Sequence, residues 1–252
     1  MNYRTSVNVF HRGLFFTEFT EPRMGQVYNA IANNLPMSFD SPLNMEYDMS
    51  IEGDFDPLKA DIQTWSGQMM LGGTAPIGSY AIISEKIWDI IKDLRIPPHY
   101  NLVPIRLMYN SKVRHFYLFH MYSIEDDYVD YDKCIYEERI QDRLKNEITI
   151  LRRFQGGFHT KEESYYYERS EDQLTVKYRL NAITALKENF DIFWSANALR
   201  MNSSTRELFL QHMDELHGVA ISQEKIPQAI YICPENYHLL NQDLDELLNN
   251  LS

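Results

Sequence analysis

The chain has 252 residues, of which 44% are hydrophobic and 24% charged, a composition typical of folded globular proteins. Its 17 tyrosines and 13 phenylalanines supply enough large apolar side chains to exclude disorder over most of the length. The 36 acidic and 24 basic residues give a net charge of −12, which argues against nucleic acid as a direct partner and favours basic proteins.

The sequence predicts a cytoplasmic protein that does not enter a membrane. No stretch approaches about 18 uninterrupted apolar residues, and the first residues lack the apolar core of a signal peptide. The two cysteines, Cys134 and Cys233, are about a hundred residues apart and form no Cys-x-x-Cys pair. A disulfide framework or a structural zinc site is therefore not expected.

In the first hundred residues, scattered prolines favour short strands and turns. Residues 24–34 are predicted to hold a short helix, because apolar side chains recur at fourfold spacing. Residues 72–78 form a glycine-containing loop that leads into a strand at 80–83. Ser84 then caps a helix whose isoleucines follow the helical period, and Pro97 and Pro98 end it.

The centre of the chain is rich in branched and aromatic residues. Strands are predicted at 102–108 and 113–122, with a hairpin turn at Asn110 and Ser111. Residues 137–148 are predicted to be helical with a thin apolar stripe. Residues 155–173 are expected to be an exposed loop with a strand fragment at 165–167, followed by an alternating strand at 174–180.

The last third contains a strong helix signal. Ser204 and Glu207 have the spacing of a capping box, and Gly218 is placed to end the helix. A strand is expected at 219–221, and the leucines of residues 241–251 predict an amphipathic terminal helix.

These elements predict an α+β fold in a single large domain. A mixed or antiparallel sheet is partly covered by helices near 84–95 and 204–217. Residues 1–100 form the N-terminal part of the domain, residues 101–226 its core, and residues 227–252 a helical tail.

No motif assembles an active site. Gly73 and Gly78 have the separation of a phosphate-binding loop, but Ser79 stands where the lysine is needed. His212 and His217 are five residues apart, which places their rings roughly 140° apart on a helix. The pair at 115 and 120 is also five apart, and on a strand such residues point to opposite faces. The sequence therefore predicts no cofactor, no metal and no catalytic residue.

The acidic stretch at residues 125–132 is the most informative surface feature. Three of its aspartates could bind a hard cation, or the stretch could be a solvated strand end. Its mixture of carboxylates and aromatic rings favours a third interpretation, in which it contacts a partner protein. The residues predicted to bind the partner are Asp126, Asp127, Tyr128, Asp130, Tyr131 and Asp132.

An ordered series of soft patterns runs through residues 101–226: Val103-Pro104-Ile105, Phe116 to Met121, Val129 to Asp132, Asp191 to Trp194, the helix from Ser204, and Leu216 to Ile221. In this order the patterns resemble an immunity-protein family of bacterial polymorphic toxin systems, the myxobacterial-type immunity domain. The resemblance covers about half the chain. It implies a non-enzymatic antitoxin that binds and blocks a co-produced toxin inside the cell.

The leading expectation is therefore an immunity protein that neutralises a cognate, basic toxin without catalysis. Toxins that attack nucleic acids tend to be basic, and an acidic inhibitor complements such a surface. Two alternatives remain open at this point. One is a metal-assisted hydrolase that uses the carboxylates of residues 126–132, and the other is a non-catalytic subunit of a bacterial secretion or defence assembly. The oligomeric state is left open.

Overall fold

The computed structural model describes residues 3–7, 21–46, 56–63, 80–195, 198–223, 230–242 and 246. The predicted loop at 72–78 lies outside these residues, as does most of the predicted terminal helix at 241–251.

The strands of this part are β1 (Tyr3–Val7), β2 (Leu43–Glu46), β3 (Ile62–Gln63), β4 (Tyr80–Ser84), β5 (Tyr100–Tyr109), β6 (Lys112–Met121), β7 (Ile135–Asp142), β8 (Glu147–Gln155), β9 (Tyr167–Arg169), β10 (Thr175–Ala185), β11 (Ile192–Ser195), β12 (Ala198–Met201), β13 (Val219–Gln223) and β14 (Ile230–Ile232). The α-helices are α1 (Met24–Ala32), α2 (Glu85–Ile91), α3 (Glu125–Tyr128), α4 (Lys161–Ser164) and α5 (Ser203–Gln211). Short 3-10 helices lie at Pro57–Lys59, Met213–Glu215 and Pro234–Asn241.

The fold is α+β, with sheets of mixed and antiparallel strands, as the sequence predicts. The sequence boundaries of the single domain fall after residues 100 and 226. Tertiary contacts group the described residues into two compact units. The first unit comprises the described residues of 3–123 and 191–223, and the second comprises residues 124–190, 230–242 and 246.

The first unit contains a five-stranded sheet in the order β2-β5-β6-β4-β3. Strands β2 and β5 are parallel, and the other neighbours are antiparallel. The predicted hairpin of β5 and β6 is confirmed. Its turn residues Asn110 and Ser111 have φ angles of 48° and 62°, the left-handed values that a two-residue turn between twisted strands requires.

Each face of this sheet packs against helices. On one face, Val27 and Ile31 of α1 lie in a buried cluster with side chains of β2, β5 and β6. On the other face, Ile87 and Ile91 of α2 pack with Phe209 of α5. The predicted helices at 24–34 and after Ser84 are confirmed, because their apolar residues repeat with the helical period and so meet one sheet face.

The first unit also holds an antiparallel four-stranded sheet in the order β11-β12-β1-β13. Helix α5 follows β12, and its N-cap is Asn202, whose side-chain oxygen accepts a hydrogen bond of 2.9 Å from the Thr205 amide. The predicted cap at Ser204 is therefore wrong by two residues. The helix also ends at Gln211, and Gly218, with a φ of 71°, instead leads the chain into β13.

The second unit is built on a sheet in the order β14-β10-β7-β8, with β9 beside the first half of β10. The predicted helix at 137–148 is wrong, because these residues form β7, a turn and the start of β8. The predicted exposed loop contains the short helix α4 and the strand β9. In the region predicted as a helical tail, the described residues form β14 and the 3-10 helix at Pro234–Asn241.

Membrane insertion through a helix finds no support in the described ranges, since none of their helices is both long and apolar enough to span a bilayer.

Candidate protein-binding surface

The predicted acidic stretch forms α3 and the turn that follows it, and two of its aspartates bind backbone amides near α3 and α4. Asp127 accepts a hydrogen bond of 3.0 Å from the Ile124 amide, which closes the first turn of α3. Asp126 accepts one of 2.9 Å from the Lys161 amide at the start of α4. Both carboxylates therefore organise the chain's own backbone.

The other two aspartates also have internal partners. Asp130 forms an ion pair with Lys133 three residues later. Asp132 lies against the loop after β8, where its carboxylate accepts a hydrogen bond of 3.3 Å from the Gly157 amide. Gly156 has a φ of 70°, and a Cβ atom there would overlap the Asp132 carbonyl oxygen. The stretch is thus tied to this loop by close backbone contact.

The two tyrosines of the stretch lie in the core. Tyr128 is 3% exposed and Tyr131 is 4% exposed, and the Tyr128 ring meets the Phe190 ring edge-on at 6.4 Å. Burial raises the pKa of both phenols. Contrary to the prediction, these two rings do not face a partner, because a buried ring cannot act as an exposed anchor.

The metal and histidine predictions can be compared with the described geometry. Within the described ranges, no group of three or more His, Cys, Asp or Glu side chains is arranged to hold a metal ion. His115 is exposed and His120 is fully buried, in keeping with the predicted opposite faces of β6. Cys134 and Cys233 are free thiols.

Most of the large hydrophobic side chains that are exposed in the described ranges lie elsewhere in the second unit. Twelve large hydrophobic side chains are exposed in the described part of the chain, and eight of them lie between residues 144 and 174. We call these eight the β8 surface: Leu144, Ile148, Ile150, Leu151, Tyr165, Tyr166, Tyr167 and Leu174. Concentrated apolar exposure of this kind is typical of interaction sites.

Strand β8 is the end strand of the sheet path and has no second neighbouring strand in the described ranges. Eight of its nine residues are exposed, and Phe154 is the exception. Among the described residues, the strand therefore leaves its outer edge without a backbone partner, and most of its side chains are exposed. An open edge of this length can accept a further strand from a partner.

The strand register places several of the exposed side chains on one face. Ile150 lies opposite Arg139 of β7, which lies beside Tyr178 of β10 and then Tyr167 of β9. The next row along the same face begins with Ile148. Apolar and aromatic side chains on this face thus alternate with the polar side chains of Arg139 and Gln141, and the apolar ones include Ile148 and Ile150 on the end strand β8.

Two ion-pair clusters hold β8 against β7. Glu137 is buried and accepts hydrogen bonds from Arg139 on its own strand and from Arg153 of β8, the latter at 2.8 Å. Glu138 points to the opposite face and accepts hydrogen bonds from Arg152 at 2.6 Å and from Arg179 at 3.0 Å. Cross-strand pairs of this kind fix the position of β8 in the sheet.

The hydrogen bond from Arg152 is the main reason that the pKa of Glu138 is lowered to about 2. The Arg179 guanidinium also lies 4.5 Å from the centre of the Phe158 ring and donates to the Ser164 carbonyl oxygen. This contact connects the sheet to the loop that carries α4. The tyrosines that follow α4 are thereby attached to an ordered framework.

Comparisons with protein-family models, curated proteins and solved structures found no match. The resemblance to the immunity-protein family therefore stays a prediction from the residues.

The sequence interpretation missed the β8 surface because it assigned residues 137–148 to a helix. One signal was present: Ile148 and Ile150 alternate with polar residues, as in a strand. The three consecutive tyrosines lie in the predicted exposed loop at 155–173, and the structure confirms that their rings are exposed.

Proposed function

We propose that the chain is a non-catalytic binding protein that neutralises a cognate bacterial toxin by covering part of the toxin's surface. The observation that carries the proposal is the concentration of exposed apolar side chains on the β8 surface. Burying such side chains against a partner is the main favourable contribution to protein association. The resemblance of residues 101–226 to immunity proteins supports the choice of a toxin as the partner.

The net charge of the chain favours a basic partner, while the charges near the β8 surface are of both signs, with exposed Arg152, Arg153 and Arg169 among them. Exposed carboxylates lie before and after the three tyrosines, at Glu162, Glu163, Glu168, Glu171 and Asp172. An apolar centre with a polar rim is the usual anatomy of a protein interface. The net charge of −12 would accelerate association with a basic protein.

No specific observation favours the metal-assisted hydrolase. The carboxylates that it would use accept hydrogen bonds from backbone amides or form an ion pair within the second unit. A non-catalytic subunit of a secretion or defence assembly would use the β8 surface in the same way. Toxicity of the partner separates this alternative from the toxin inhibitor.

The test begins with capture of the partner from native cells on the immobilised chain. The captured protein is then expressed alone and together with the chain in a bacterial host. We expect it to stop growth when expressed alone and to be harmless when the chain is present. A partner that does not affect growth would contradict the proposal and would favour the assembly subunit.

The double variant Ile148→Ser and Ile150→Ser tests the surface itself. Both side chains are substantially exposed, at 52% and 42%, so the variant should fold and yet fail to restore growth. The matched control is Val113→Ser with Leu210→Ser, which removes two side chains of similar exposure, 43% and 40%, from the first unit. Equal protection by the two variants would show that the β8 surface is not the interface.

A further inference from the structure

A groove in the first unit lies between α2 on one side and α5 with the 3-10 helix Met213–Glu215 on the other. It has a volume of about 460 Å³, within the range of roughly 300–1,000 Å³ that is typical of ligand sites. The Lys86 ammonium group donates a hydrogen bond of 2.9 Å to the Glu215 carbonyl oxygen and so connects the two walls. The two walls are thus in direct contact at this point of the surface.

The floor of the groove is apolar. It is formed by Ile90 and Leu94 from the α2 side and by Leu208 and Leu216 from the α5 side. Leu216 is buried, whereas the other three are only half-buried and retain apolar surface in contact with water. A ligand with aliphatic groups would release this water.

The rim of the groove is acidic. Asp89, Asp93 and Glu215 line it together with Lys86. Asp89 is neutralised by Lys92 at 2.7 Å, and the Lys86 ammonium already binds a carbonyl oxygen. The carboxylates of Asp93 and Glu215 form no ion pair with any described residue. These two carboxylates are thus available to an incoming cation.

An apolar floor below two available carboxylates matches the chemistry of arginine and lysine side chains. Their aliphatic stems pack on apolar surface while their charged groups remain at its edge. We propose that this groove binds a basic segment of a partner protein in which arginine or lysine alternates with aliphatic residues. The stems and the aliphatic residues contact Leu94 and Leu208, and the cations pair with Asp93 and Glu215.

The probe for the test is a fluorescein-labelled nonapeptide of alternating arginine and leucine, titrated with the full chain at about 0.15 M salt to limit long-range attraction. Fluorescence anisotropy measures its affinity. A second peptide carries serine in place of each leucine and has the same charge. The proposal requires the leucine peptide to bind and the serine peptide to bind more weakly, because only the first can cover the apolar floor.

Two double variants locate the site. Asp93→Asn with Glu215→Gln should weaken binding of the leucine peptide roughly five- to tenfold, as expected for the loss of two partly solvated ion pairs. Glu46→Gln with Glu188→Gln is the matched control, because both carboxylates are exposed and lie outside the groove. The control should leave the affinity within about twofold of the wild type.

A third variant, Leu208→Ser, tests the apolar floor. It should weaken binding of the leucine peptide and leave the affinity for the serine peptide unchanged. Three results would overturn the proposal: no binding of the leucine peptide, equal affinity for the two peptides, or equal losses in the two double variants. The last result would mean that the peptide responds only to the net charge. None of the variants changes the β8 surface, so the outcome is independent of the toxin test.

Discussion

The aspartates of residues 126–132 serve the local structure of the second unit. Asp127 closes the first turn of α3, Asp126 holds the start of α4, and Asp132 binds the loop after β8. A charged acceptor bound to backbone amides contributes more than a neutral hydrogen bond. The density of carboxylates in this stretch thus has a structural explanation, and it does not require a partner.

Truncation of Tyr128 tests whether the ring of this residue belongs to the core. Tyr128→Ala removes a ring that is 3% exposed, so we expect the free energy of unfolding to fall by about 3–5 kcal/mol. Urea unfolding followed by circular dichroism measures the change. Tyr165→Ala is the control, because its ring is 69% exposed and its loss should cost less than about 0.5 kcal/mol. Similar stability of the two variants would contradict the burial of the Tyr128 ring in the core.

His120 is the residue that should make stability depend on pH near neutrality. It is fully buried on β6, beside Tyr80 and Asn101 on the adjacent strands, and neither ring nitrogen has a hydrogen-bond partner among the residues that the structure describes. Burial lowers the pKa of His120 to about 4 from its ordinary value of 6.5. The folded chain therefore keeps a neutral imidazole under conditions in which the unfolded chain binds a proton.

Because the folded pKa is depressed, the stability contributed by the neutral ring is complete above about pH 7 and is lost as the pH falls from 6.5 towards 4. We expect the free energy of unfolding to drop by roughly 2 kcal/mol between about pH 7.5 and about pH 5. His120→Leu should remove most of this drop, whereas the exposed His115→Gln should retain it. A drop of the same size in His120→Leu would assign the dependence to other groups.

At the scale of elements, local patterns identified the hairpin of β5 and β6, the helix after Ser84, and β10. In each case the apolar residues follow one period and the turn or cap residue lies at the expected place. The hairpin of β7 and β8 was missed for a physical reason. Its charged residues find partners across strands, as Glu138 does with Arg152 and Arg179, and such pairs are invisible to a local pattern.

The candidate site was harder to predict than the fold. The exposure of Tyr165 follows from the predicted exposed loop at 155–173, whereas Tyr128 lies in an acidic stretch that was also predicted to face solvent and is nevertheless buried. Helix α3 turns Tyr128 into the core, while Tyr165 follows α4 on the outside of the unit. Burial of this kind arises from tertiary packing and was therefore beyond the sequence pattern.

The turn between β5 and β6 provides a prediction at this scale. Ser111 has a φ of 62°, and a side chain in this conformation is strained, whereas glycine adopts it without penalty. Ser111→Gly should therefore raise the free energy of unfolding by about 0.5–1 kcal/mol, measured by thermal or urea unfolding. Lower stability of the variant would mean that the turn has a different backbone conformation.

At the scale of the whole molecule, a net charge of −12 and an exposed apolar surface act on different steps of binding. Charge raises the rate at which a basic partner arrives, and the burial of apolar side chains slows its departure. The net charge of the chain supplies the first effect, and the exposed apolar side chains of the β8 surface supply the second. This combination is the central claim for the second unit.

Hydrogen–deuterium exchange of the chain, free and bound to its captured partner, tests this claim most directly. Because a bound partner covers the β8 surface, we expect the backbone amides of residues 147–155 and 165–169 to exchange more slowly in the complex. Unchanged exchange in both segments, with new protection confined to other parts of the chain, would contradict the claim.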